Sequence, residues 1–159
     1  MKQNTLKRLG ALAIIGIVLF TTIHATLLTD DKKIARDFYE SYNMHNIQKS
    51  FDDFIATDLI NHTMGGNLDR QKWLNFDIAF LAACPNLKMT VKDQITEGTK
   101  VVTHWVCEGT HRADFMGMSA SGNSIQLEGI SIDRIEKGKI KEHFAIADFT
   151  QFMQQFIKK

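Results

Sequence analysis

Four side chains in this 159-residue chain have the type and placement to move protons: His62, His111, His143 and Asp148. An imidazole can take or return a proton near neutral pH, and a carboxylate beside it fixes its tautomer. His111, His143 and Asp148 are therefore the candidates for general acid/base catalysis, and His62 is a candidate for contact with a ligand. Each also has a structural reading. A histidine beside an apolar strand often serves as a hydrogen-bonded part of the core, and Asp148 stands where an N-cap would stand. The histidines come from separate segments and lack the close pairing of a helical zinc motif, so neither a metal nor a cofactor is expected. Asp133-Arg134 reads as a strand-end ion pair more readily than as a substrate clamp.

A second set of residues is apolar. Trp73, Phe80, Trp105, Phe115, Met116, Met118 and Phe144 are candidates for the wall of a cavity. Most of them would be core in any fold. Phe115, Met116 and Met118 differ because they lie in a Gly- and Ser-bearing loop, where apolar side chains are out of place unless they pack over something. They predict a lid, and methionine adapts well to ligands of irregular shape.

These residues need elements to carry them. From Thr29 onward, Ile34, Phe38 and Tyr42 recur every four residues and predict a helix. A second short helical piece carries Phe51, Phe54 and Ile55, followed by a brief extended segment over 58–62 and a break at Met64-Gly65-Gly66-Asn67. Arg70 to Ala83 predicts a helix in which Trp73, Leu74, Asp77, Phe80 and Leu81 share an arc, and Pro85 ends it. The period then becomes two. Strands are expected over 87–97, with Asp93 and Ile95 on the parity of Met89 and Val91, then over 101–111, 124–135 and 140–147. Phe149, Phe152, Met153, Phe156 and Ile157 form the stripe of a closing helix. Helices followed by a meander of strands joined by tight turns give an α+β class with an antiparallel sheet, which curls when helices cover one face.

The N-terminus carries Lys2, Lys7 and Arg8 ahead of an apolar run from Leu9 to Ile23. A run of 15 residues is short for a bilayer span, which needs about 20 residues. Residues 1–25 therefore read as a signal peptide or, alternatively, an uncleaved N-terminal anchor, and the chain as exported, periplasmic or tethered to the inner membrane. Without those residues, 16 basic side chains face 18 acidic ones, so the balance moves from +1 to −2. A near-neutral surface lacks the basic patch that nucleic-acid binding requires. Cys84 and Cys107 suit either a single disulfide in an oxidising compartment or two buried thiols.

Gly109-Thr110-His111, Phe115-Met116-Gly117-Met118, Gly122, Asp133-Arg134, Gly138-Lys139-Ile140, Glu142-His143 and Asp148-Phe149 resemble, in order and spacing, the SnoaL-like polyketide cyclases. The same motifs are shared with the related ester cyclases of the nuclear transport factor 2-like superfamily. Asn61-His62 and Pro85-Asn86-Leu87 extend the likeness to about residues 33–157, within a domain spanning 29–159. The resemblance implies a cone-shaped, strongly bent antiparallel sheet with three to four helices around an apolar cavity. It also implies a fold that is often dimeric through the outer sheet face, and ring closure without metal or cofactor. In the family an aspartate two residues after the histidine of the Gly-Lys-Ile…His stretch is the acid/base. Here that position is Ala145, and Ser131 stands where some cyclases place a histidine. A methyl group cannot exchange a proton, so the fold is inherited while that particular mechanism is open to question.

Three functional readings follow. The chain is an enzyme acting on a lipophilic ester or polyketide-like molecule, an extracytoplasmic binding protein for an apolar ligand, or a structural module whose outer sheet face serves assembly. In the first two, His62, Trp73, Phe80, Trp105, Phe115, Met116, Met118, Ser131 and Ala145 contact the ligand. The membrane is a partner only through the N-terminal segment.

Overall fold

The computed structural model describes residues 31–63 and 66–157. The expected leader at 1–25, the start of the first helix and Met64-Gly65 lie outside the described residues. Helix α1 covers 31–41 and runs into a single 3₁₀ turn, Tyr42–Met44. It is followed by α2 (Ile47–Phe54), β1 (Ile55–Thr63), β2 (Gly66–Asp69), α3 (Arg70–Ala83), β3 (Lys88–Glu97), β4 (Lys100–Thr110), β5 (Ser124–Glu136), β6 (Lys139–Ala147) and α4 (Phe149–Gln154).

The helices begin where the sequence supplies an oxygen to cap them. Asn46 Oδ1 accepts from the Lys49 amide at the start of α2, Asp69 Oδ1 from Lys72 at α3, and Asp148 Oδ1 from Gln151 at α4. The buried arc of α3 is Trp73, Leu74, Asp77, Phe80, Leu81 and Ala83, which puts one carboxyl on an otherwise apolar face.

The six strands form one sheet in the order β2-β1-β6-β5-β4-β3. Successive strands from β3 to β6 pair antiparallel, β3–β4 and β5–β6 across tight turns and β4–β5 across the segment 111–123. β1 returns to pair parallel with β6, His62 opposite Phe144 and Asn61 opposite His143. This parallel closure was not foreseen in the sequence. Ile55, expected to end a helical piece, instead opens β1.

Two irregularities aim side chains. A register shift between Val91 and Asp93 turns Gln94 inward and leaves Asp93 and Ile95 outside, so the simple parity expected for that strand fails beyond Val91. A second shift, where β5 and β6 pair near Arg134/Ile135, lets both Ile140 and His143 face the interior.

The helices cover the concave face of the sheet. Phe38 is fully buried among Tyr42, Phe51 and Trp73 at centroid distances of 5.5, 5.8 and 5.5 Å, mostly edge to face. Burying such a ring stabilises the fold by roughly 1.5–3 kcal/mol. The result is an α+β cone of six curled strands closed by four helices. Among the described residues no helix is long and apolar enough to cross a membrane.

Candidate functional site

The narrow interior between α1, α3 and the sheet holds a chain of buried polar groups. On β5 strict alternation sends Gly129, Ser131 and Asp133 inward. On β6 His143 is paired in register with Asp133, and Ala145 with Ser131. His143 Nδ1 lies 2.7 Å from Asp133 Oδ1, and the Tyr39 hydroxyl donates to Asp133 Oδ2, also at 2.7 Å. With Asp133 as the acceptor from both Tyr39 and His143, the contact assigns the imidazole proton to Nδ1 and leaves Nε2 as the acceptor nitrogen. Among the described residues no hydrogen bond reaches Nε2. The imidazole stacks on Trp73 at 4.4 Å between centroids.

Burial and the neighbouring Asp133 together push the Tyr39 phenol well above its ordinary range. Tyr39 is therefore a neutral donor at any physiological pH. It stacks on Trp105, whose indole Nε1 donates to Ser131 Oγ at 2.7 Å. The indole lies across Gly129, where a Cβ would stand 2.5 Å from Trp105 Cζ2. Trp105 is held in place by a residue without a side chain.

A second buried carboxyl faces the same interior. Tyr42 donates to Asp77 Oδ2 at 2.6 Å, and desolvation pushes the Asp77 pKa up to about 7 despite that bond. Tyr39 and Tyr42 thus form two Tyr–Asp pairs three residues apart.

The sequence-predicted residues divide. His143, Ser131, Trp73 and Trp105 come together on the inner face, and Ala145 sits half-buried beside Ser131. His111 is wholly buried but belongs to another cluster, against Phe156 at 4.6 Å, with Nδ1 on Ser121. Its Nε2 has no partner among the described residues. His62 shares a strand with inward-facing Asn61 and therefore points outward, to Asn67 and Glu142. Asp148 caps α4 and is exposed. Neither His62 nor Asp148 reaches the dyad's interior. Phe144 lies on the outer face with 38% of its surface exposed, so it is not a wall of the interior.

The predicted lid takes a different form. Phe115 is core, packed on Phe80 and Phe156. Only Met116 at the tip is exposed, and Met118 is half-buried. Phe115 and Met118 exchange both backbone hydrogen bonds around Met116-Gly117, each with positive φ. Arg112 and Ala113 amides bind the Ala83 carbonyl, and Asn123 Nδ2 binds the Gln155 and Ile157 carbonyls. These ties pin the segment at both ends, so it is an anchored plug.

Asp133, Tyr39, Tyr42 and Asp77 were not singled out as site residues. Arg134 does not pair with Asp133, because neighbours on a strand point to opposite faces; it binds Glu142 and Glu136 outside. Cys84 and Cys107 are free buried thiols, with burial pushing them up to about 11 and about 12. Among the described residues no cluster of His, Cys, Asp and Glu is suited to a metal ion. Two surface clefts lie elsewhere, one lined by Asn86, Glu108 and Gln155, the other by Arg70, Lys139 and Lys141.

The geometry has clear relatives. IdmH, a candidate polyketide cyclase from Streptomyces antibioticus, superposes with a TM-score of 0.68 at 27% identity, over 79% of this chain and 96% of that one. AclR, a candidate hydroxylase from Streptomyces galilaeus, gives 0.74 at 17% identity over 81% and 96%. A candidate SnoaL-like polyketide cyclase from Jannaschia sp. CCS1 gives 0.72 at 16% identity over 80% and 92%. The latter two show the shared fold alone. A search of curated proteins finds no match. The profile of the SnoaL-like polyketide cyclases matches residues 32–156, nearly all of the described residues, and the chain belongs to that family.

Proposed function

We propose that this domain transfers protons on a lipophilic, enolisable small molecule, with His143 as the base and the chain's own side chains as the whole apparatus. The observation that carries the reading is the His143–Asp133–Tyr39 chain: a buried imidazole whose Nδ1 is fixed by a carboxylate and whose Nε2 is unengaged. Asp133 orients the ring and stabilises the imidazolium formed when Nε2 takes a proton. Tyr39 balances Asp133 and holds it in place. Trp73, stacked on His143, and Trp105, stacked on Tyr39, give the polar chain an apolar setting, which favours a lipophilic substrate. The reaction class is enolisation at carbon, leading to isomerisation or ring closure.

Ala145 occupies the strand position after His143 on the same face, opposite Ser131 on β5. On this reading the proton-transfer role has moved from the position of Ala145 to His143. Carbon-proton exchange of 2-tetralone in D₂O, followed by NMR, tests it. Wild-type protein is expected to accelerate exchange and His143→Gln to lose that acceleration by at least ~100-fold. Binding without exchange would support the carrier reading instead.

Two further expectations belong to the same proposal. The segment 1–25 sends the domain out of the cytoplasm as a cleaved leader or anchors it to the inner membrane; N-terminal sequencing of protein from the envelope fraction checks this. The outer sheet face pairs with a second copy. Ile130 lies opposite Ile146 and Ile132 opposite Phe144, all exposed, forming a contiguous apolar patch. Arg134–Glu142 and His104–Glu128 add paired charges of both signs, as a self-complementary two-fold contact needs.

A further inference from the structure

Asp77 is difficult to explain as structure. It stands on the buried arc of α3, one turn after Trp73, and no cation faces it among the described residues. Tyr42 is its hydrogen-bond donor. A carboxyl so placed costs stability, and an apolar side chain would pack there without that cost. Its surroundings are those of the dyad. Trp73, four residues earlier on the same helix face, stacks on His143. Tyr39, three residues before Tyr42, binds Asp133. The remaining titratable groups that sense Asp77 are Tyr39 from α1 and Cys107 from β4.

We propose that Asp77 is the second proton-transfer group of this interior, a carboxylic acid that donates to the carbonyl oxygen of the molecule whose carbon-bound proton His143 removes. The inference rests on the reading of His143 as the base. The step balances without an outside reagent. His143 Nε2 takes the proton from the α-carbon, the C–H electron pair becomes the enol C=C, the carbonyl π pair moves to oxygen, and Asp77 delivers its proton there. Return of both protons, at the same carbon or a conjugated one, restores both groups. Desolvation favours the protonated acid up to about pH 7, which matches this role. Tyr42 supports the carboxylate left after donation and is a positioning residue.

The test pairs 2-tetralone exchange with the binding of 2-naphthol, a stable mimic of its enol, and follows the Asp77 carboxyl by ¹³C NMR. Asp77→Asn is close in shape, and its thermal transition checks folding. The expected result is exchange slowed at least ~10-fold, loss of the alkaline fall in rate near pH 7, and 2-naphthol bound about 10-fold more weakly. Tyr42→Phe should raise the midpoint of the Asp77 carboxyl further. If exchange in Asp77→Asn keeps both the wild-type rate and the wild-type pH profile, the role of Asp77 falls while that of His143 stands. If wild-type protein does not exchange 2-tetralone, the His143 reading falls, and Asp77 is judged by 2-naphthol: equal or absent binding in wild type and Asp77→Asn overturns it.

Discussion

Over its middle, between the buried Leu127 and Ile135 of the inner face and the polar Glu128 and Arg134 of the outer, β5 inverts the usual order of a sheet. On the inner face, which folding ordinarily fills with apolar side chains, stand Gly129, Ser131 and Asp133; on the outer face, ordinarily polar, stand Ile130 and Ile132. A strand of this kind is a poor choice for stability alone. Buried polar groups are tolerated when each is hydrogen-bonded, and exposed apolar ones when something covers them. The inner face meets its condition within the chain, through His143, Tyr39 and Trp105. The outer face does not, which is why it is assigned to a second copy. On the proposed reading, the contrast separates chemistry from assembly along one strand at single-residue spacing.

Removing the inner carboxylate breaks that contrast most severely. Asp133→Ala strands the Tyr39 hydroxyl and His143 Nδ1 in the interior, at roughly 1–3 kcal/mol for each. A fall in Tm on the order of 10 °C is expected in a domain of this size, with 2-tetralone exchange lost as well. Unchanged urea unfolding in Asp133→Ala would mean that the pair is not buried as described.

Asp77 gives the next largest effect and the clearest dependence on pH. Its folded pKa, about 7, lies above the ordinary 3.8. Between those values the folded state holds a proton that the unfolded state has lost, so stability falls as pH rises from about 4 to about 7 and then levels off. Asp77→Asn removes this slope. At pH 8 the variant should be more stable than wild type by about 2–4 kcal/mol, with the gap closing toward pH 4. Parallel urea titrations at the two pH values read the difference, and equal slopes would place Asp77 in contact with water.

The elements were more legible in the sequence than the site. Arg70–Ala83 is found at the bounds that the apolar arc and Pro85 indicate, and the strands from β3 to β6 match to within a residue or two, because period and turn residues are local signals. His143 was reachable from its shared strand parity with Ala145, the position that the family resemblance places in the pocket. Asp133 was hidden because its neighbour Arg134 offers a simpler partner in sequence; only pairing to β6 and to Tyr39, 94 residues away, gives it a role. Asp77 was visible as a member of an apolar arc, yet nothing local says that Tyr42 donates to it. His111 misled for the converse reason: a histidine at a strand end beside a glycine-bearing loop looks accessible, and Phe156 from the far end of the chain buries it.

Gly129 sharpens the inner face at a smaller scale. In Gly129→Ala the new methyl meets Trp105 Cζ2 at 2.5 Å and Cη2 at 2.8 Å, with the Ile146 carbonyl at 3.0 Å behind it. The indole must move and release Ser131. Overpacking of this kind costs about 1–3 kcal/mol. The Trp105 indole N–H resonance should shift and exchange faster with solvent. If that resonance is unmoved, the ring does not lie over Gly129.

Ile132→Glu, on the other face of the same strand, should change the stability of a single chain by no more than about 0.5 kcal/mol, since Ile132 is already exposed and no inner contact is lost. Its effect is on association. Ile132 lies opposite Phe144 across the β5–β6 pair, so a carboxylate there meets its own symmetry mate near the middle of a two-fold contact, where like charges repel. Sedimentation velocity is expected to show a dimer for wild type and a monomer for Ile132→Glu, while 2-tetralone exchange per chain is retained. Arg134→Glu tests the rim of the same surface and should weaken association less, because rim charges are well solvated. Dissociation accompanied by loss of exchange would show that the outer face helps to hold the inner one in shape, and a monomeric wild type would remove the partner from the account of Ile130 and Ile132.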